Sequence, residues 1–84
     1  LKNDDEIIRQ TAVRVLGKIK AVDAAESLIQ MLKNDRSEAV REEVAIALGE
    51  IKSPKAVEPL VQAIKKDDYE QVREAAAVAV GRIK

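Results

Sequence analysis

The chain has no cysteine, no histidine, no tryptophan and no phenylalanine, and its one aromatic residue is Tyr69. Without cysteine or histidine there is no zinc finger, thiol nucleophile, haem attachment or imidazole acid–base catalyst. Net charge is lacking too, since 15 Lys and Arg balance 15 Asp and Glu. A neutral chain with one aromatic is poorly suited to bind nucleic acid through a basic, base-stacking surface. Long apolar runs are missing: the longest extends from Ala75 to Val80, far short of a membrane span. No signal-peptide pattern opens the chain, and its first residue is Leu1 rather than Met, as expected of an excised or processed piece. These absences lead us to expect no catalytic centre, no metal, no cofactor, no nucleic-acid or membrane partner, and a cytoplasmic location.

Apolar residues nonetheless make up 46% of the 84 residues, nearly all Ala, Val, Ile and Leu. That is enough for one small folded domain over residues 1–84. A repeat organises it. Gly17, Gly49 and Gly81 recur every 32 residues, as do Arg9, Arg41 and Arg73, and Ile19, Ile51 and Ile83. Residues 33–52 share eleven identities in twenty positions with 65–84, and residues 1–32 share ten in thirty-two with 33–64. The repeats are therefore 1–32, 33–64 and a partial 65–84.

Each repeat reads as two helices. Val40, Val44, Ala47, Leu48 and Ile51 form one stripe of a 3.6-residue helix, and Val57, Leu60, Val61 and Ile64 form another. Ser53 suits an N-cap and Pro54 a first helical residue. Pro59 predicts an irregular first turn in its helix, whereas Ser27 one repeat earlier predicts a straighter one. The pattern gives five helices, at about 5–19, 22–33, 37–51, 54–65 and 69–83, joined by short polar turns. The glycines lie inside helical patterns with an apolar residue still in phase after them. Each costs roughly 1 kcal/mol relative to Ala there, so close backbone approach is favoured over simple termination. The many alanines likewise allow helices to pack at short range.

The run from Val40-Arg41 through Val44-Ala45, Ala47-Leu48-Gly49 and Ile51, followed by Ala56 to Val61, resembles a HEAT-like repeat, in particular the phycobilisome-lyase type. The resemblance implies an all-α fold: a right-handed α-solenoid of about two and a half stacked helical hairpins. It also implies that the helix bearing Val-Arg lines the concave surface, and that an Asp six residues before each Arg bridges successive repeats. Asp35 with Arg41 and Asp67 with Arg73 fit this ladder; Arg9 has Asn3 instead, which predicts a weaker first rung. After Ile19 and Ile51 the family's left-handed glycine is absent, and Lys20 and Lys52 stand near those turns. Among HEAT-like relatives, metal-dependent hydroxylases use His-Glu ligands that a chain without histidine cannot supply.

On the face opposite the core stripe, the pattern leaves Gln10, Arg14 and Lys18 in the first repeat, Glu42, Glu43, Ile46 and Glu50 in the second, and Glu74, Val78 and Arg82 in the third. Ile46 and Val78 are apolar at positions that face away from the core, which points to contact with a partner. The repeated Asp–Arg pairs point to the seam between repeats rather than to catalysis. The clustered acids lack the spacing of a calcium loop and sit near helix starts, where they complement the dipole. The expected function is a non-catalytic scaffold that binds a protein or peptide. The alternative is a subunit or fragment of a bilin lyase or isomerase acting on phycobiliproteins. Three repeats are about the minimum for solenoid stability, so self-association through exposed repeat ends is also expected.

Overall fold

The computed structural model describes residues 2–84, with side chains from Glu6 onward. Five α-helices follow in order: α1 (Lys2–Lys18), α2 (Ala25–Asn34), α3 (Glu38–Ile51), α4 (Val57–Lys66) and α5 (Glu70–Ile83). No strand occurs among the described residues. Helices α1, α3 and α5 lie side by side in one layer, and α2 and α4 form the other. Each second-layer helix packs against the helix that follows it, α2 on α3 and α4 on α5. The half hairpin is therefore α1. The molecule is an α-solenoid-like array measuring 36 × 28 × 16 Å between Cα extremes.

The core forms where the stripes meet. Val40, Val44 and Leu48 of α3 are buried with Leu28 of α2, Leu60 of α4 and Val72 of α5. Full burial of an aliphatic side chain of this size is worth about 1.5–3 kcal/mol, and these six lie in one contiguous cluster. Small residues set the spacing within the first layer. A Cβ added at Gly17 would lie 2.9 Å from the Ala47 Cα, and one added at Gly49 would lie 2.9 Å from the Ala79 Cα. Both glycines thus mark close approach of neighbouring helices. Gly81 meets nothing within 4 Å.

The second-layer helices differ from the sequence expectation at their starts. A 3₁₀ turn precedes each of them, Val22–Ala24 before α2 and Pro54–Ala56 before α4. Ser27 does not make its helix the straighter one. Pro59 is the third residue of α4, where helix amides have no intrahelical partner to lose, so it disturbs nothing. The irregularity comes instead from the tight reversal shared by both repeats, in which the Ala24 amide donates to the Ala21 carbonyl and the Ala56 amide to the Ser53 carbonyl. Pro54 opens the second turn as expected, but the Ser53 side chain makes no capping hydrogen bond. The side-chain cap falls elsewhere: Ser37 accepts from the Val40 amide at the start of α3.

Lys20 and Lys52 adopt φ of 52° and 59°. The left-handed turn is kept although no glycine occupies it.

Candidate functional site

Beneath the surface of the first layer runs a seam of ion pairs. Arg9 donates from Nε and a terminal nitrogen to the two carboxylate oxygens of Asp35, at 2.8 and 3.0 Å. Arg41 clasps Asp67 in the same way at 2.8 and 3.1 Å. Each Asp also accepts from an amide two residues on, Asp35 from Ser37 and Asp67 from Tyr69. The remaining guanidinium nitrogen reaches back into its own repeat: Arg41 donates to the Asp35 carbonyl at 2.7 Å and Arg73 to the Asp67 carbonyl at 2.8 Å. The pairing is thus from the Arg of one repeat to the Asp of the next. The Arg9–Asp35 distances match those of the second rung; the Asn3 side chain, on which the expectation of a weaker first rung rests, lies outside the described residues. Arg73 pairs with no carboxylate among the described residues. The Arg41 guanidinium also sits 5.7 Å from the centre of the Tyr69 ring, a cation–π contact that a lone tyrosine in a polar turn did not announce.

Electrostatics follow from that geometry. Burial by itself would raise the Asp35 and Asp67 carboxyls. Hydrogen bonds from Arg9 and Arg41, the Ser37 and Tyr69 amides, and the surrounding guanidinium charges outweigh it, and both acids are held below the ordinary carboxylate value. The hydrogen bond to Asp67 raises the Arg41 guanidinium further. The Arg9–Asp35 and Arg41–Asp67 pairs hold successive repeats together. A recess of about 390 Å³ near the turn after α4 is lined by Arg41 and Asp67 themselves, with Lys33, Lys66 and Asp68 beside them. No group of three or more Asp, Glu, His or Cys able to hold a metal occurs among the described residues.

The outward side of the first layer differs. Between α3 and α5 lies a groove of about 300 Å³, lined by Glu42, Ile46, Glu74, Val78 and Arg82 together with Gln71, Ala75 and Ala79. Ile46 and Val78 are 41% and 63% exposed. A smaller groove of about 210 Å³ between α1 and α3 is lined by Arg14, Lys18, Glu43 and Glu50, with Ile46 and Ala47. Ile46 therefore stands on the ridge shared by both. Arg14 donates to Glu43 across the smaller groove at 3.0 Å, so part of the expected basic row is neutralised from within. Gln10 lines neither groove. Gln71 was missed by the sequence reading; its position one turn before Ala75 on α5 was the available signal.

Side-by-side helices at a 32-residue period, joined by an Arg–Asp seam, are the architecture of one repeat class, and the profile of the HEAT repeats family matches residues 1–81. The chain belongs to the HEAT repeat family. No curated protein sequence matches it significantly. HEAT repeats generally mediate contacts between proteins. No helix among the described residues is long and apolar enough to cross a membrane.

Proposed function

We propose that this HEAT array is a non-catalytic scaffold module that takes a protein or peptide segment along the outward face of α1, α3 and α5. The groove between α3 and α5 carries the reading. Its floor is aliphatic, and Glu42 and Glu74 lie toward one end with Arg82 toward the other. Its occupant is a segment with an apolar anchor over Ile46 and Val78, a basic residue toward the two glutamates and an acidic one toward Arg82. The groove has no aromatic side chain, so any aromatic anchor comes from the partner. Alternating signs along this face, Arg14 and Lys18 beside Glu43 and Glu50, favour a protein over a polyphosphate backbone or an anionic membrane.

The test is to select peptides from a random displayed library on the wild-type protein and to measure their binding to an Ile46→Asp, Val78→Asp variant. Both side chains are largely outside the core, so the variant keeps its helical circular dichroism. Binding by the selected peptides falls at least tenfold, roughly the loss of one apolar anchor. Undiminished binding by a still-helical variant would remove the groove from the reading.

The likeness of the Val40-Arg41 to Ile51 segment to phycobilisome-lyase repeats supports a second reading, a subunit or fragment acting on phycobiliproteins. Mixing the protein with a bilin and an apo-phycobiliprotein tests it. A change in the bilin absorption spectrum that depends on this protein supports that reading, and an unchanged spectrum removes it.

A further inference from the structure

The groove between α3 and α5 is built in levels one helical turn apart. Glu42 and Ile46 stand four residues apart on α3, and Glu74, Val78 and Arg82 stand four apart on α5; all five line the groove. A rise of about 1.5 Å per residue puts successive levels about 6 Å apart. A carboxylate pair comes first, an aliphatic pair second and a guanidinium third. Ala75 and Ala79 line the groove beside the aliphatic pair. The charged groups here are unspent: among the described residues, Glu42, Glu74 and Arg82 take part in no ion pair. The neighbouring groove differs, since Arg14 reaches across it to Glu43 at 3.0 Å. A helix added to the row beyond α1 or α5 would lie beside those helices and leave the α3–α5 groove open.

We infer, on the reading that this groove takes a protein segment, that the segment binds as an α-helix. One face of it presents a basic, an aliphatic and an acidic side chain, each one turn from the next. Spacing alone does not choose between helix and strand, because alternate residues of a strand are about 6.6 Å apart and match the levels nearly as well. Main-chain hydrogen bonding decides it. At the aliphatic level both walls are mid-helix, within Glu38–Ile51 and Glu70–Ile83, so their amides and carbonyls are already paired along the helix. The side chains at that level, Ile46, Ala75, Val78 and Ala79, carry no polar atom. An extended segment laid on them turns amides and carbonyls toward aliphatic surface, and each that loses water without gaining a partner costs about 1–3 kcal/mol. A helix satisfies its own main chain and offers side chains alone. The two alanines also keep the surface low between the Ile46 and Val78 ridges, where a third helix can settle at the usual interaxial distance of about 8–10 Å.

Two displayed peptide libraries test this. One is an alanine-rich helix varied at three positions spaced four apart, and the other a disulfide-closed hairpin varied at three positions spaced two apart. Selection on the wild-type protein should enrich the helical library, with a basic, an aliphatic and an acidic residue in sequence along the varied face. Binding of the enriched peptides should fall at least tenfold on Ile46→Asp with Val78→Asp, and proline at the centre of the peptide should abolish it. Arg82→Glu should weaken binding, and Lys in place of the peptide's acidic residue should restore it. Groove-dependent binders that come only from the hairpin library, that tolerate the central proline, or that ignore Arg82→Glu would overturn the helical assignment and leave the groove as a binding site. Binders indifferent to the Ile46 and Val78 substitutions, or no binders from either library, would overturn the groove reading and this inference with it.

Discussion

Asp67 holds one residue's worth of several jobs. It accepts from Arg41 twice and from the Tyr69 amide, and its carbonyl takes Arg73. Its side chain is 9% exposed and that of Arg41 13%, so removing the carboxylate charge strands a mostly covered guanidinium. Asp67→Asn is expected to cost about 2 kcal/mol in urea denaturation. Arg73→Ala, which loses a single hydrogen bond to a carbonyl, should cost less than about 1 kcal/mol. The two depressed carboxyls also set a pH dependence. Their folded values lie below the unfolded value of about 3.9, so their contribution is complete above that pH. It is lost as pH falls through the folded values. A double Asp35→Asn, Asp67→Asn variant should therefore lose stability less steeply below about pH 4 than the parent does, as thermal melts across that range would show. The glycines give an internal control. Gly49→Ala drives a methyl against the Ala79 backbone and destabilises, whereas Gly81→Ala enters open space and should stabilise by about 0.5–1 kcal/mol.

The helices themselves were legible because the first-layer stripe occurs three times and the second-layer stripe twice, each with the same phase. Leu48, fully buried, and Ile51, at 7% exposure, occupy the core positions that spacing assigns. What the pattern could not convey was local reversal geometry. The 3₁₀ turns before α2 and α4 arise from backbone bonds to Ala21 and Ser53, and these carry no side-chain signature. Pro59 misled because a proline's effect depends on its distance from the helix start, which sequence places only to within a few residues. Pro59→Ala should accordingly leave the melting temperature nearly unchanged. The lysines at positive φ tell the opposite story. A non-glycine residue in that region costs about 1 kcal/mol, so Lys52→Gly should stabilise by about 0.5 kcal/mol once glycine's extra unfolded entropy is counted. Equilibrium unfolding of that variant checks it.

At the scale of the whole molecule, the period was plain but the direction of coupling was not. Asp35 precedes Arg41 by six residues, and the family resemblance groups those two in a ladder between successive repeats. In three dimensions the carboxylate turns to the preceding repeat and meets Arg9, leaving its carbonyl for Arg41. No one-dimensional spacing distinguishes these two uses of one residue. The outward grid was legible for a related reason: positions off the stripe have nowhere else to go. Which of them share a groove depended on the close approach set at Gly17 and Gly49, and on the Arg14–Glu43 contact between repeats.

The head-to-next sense of the Arg–Asp rung makes the architecture extensible. A block copied from Asp35 through Lys66 begins with a socket for the guanidinium before it and carries, in Arg41, the clasp for the block after it. Splicing a duplicate at that boundary would lengthen the array without redesigning any joint, since each junction would reproduce one that already exists. Swapping blocks at the boundary between Leu32 and Lys33 would serve equally well.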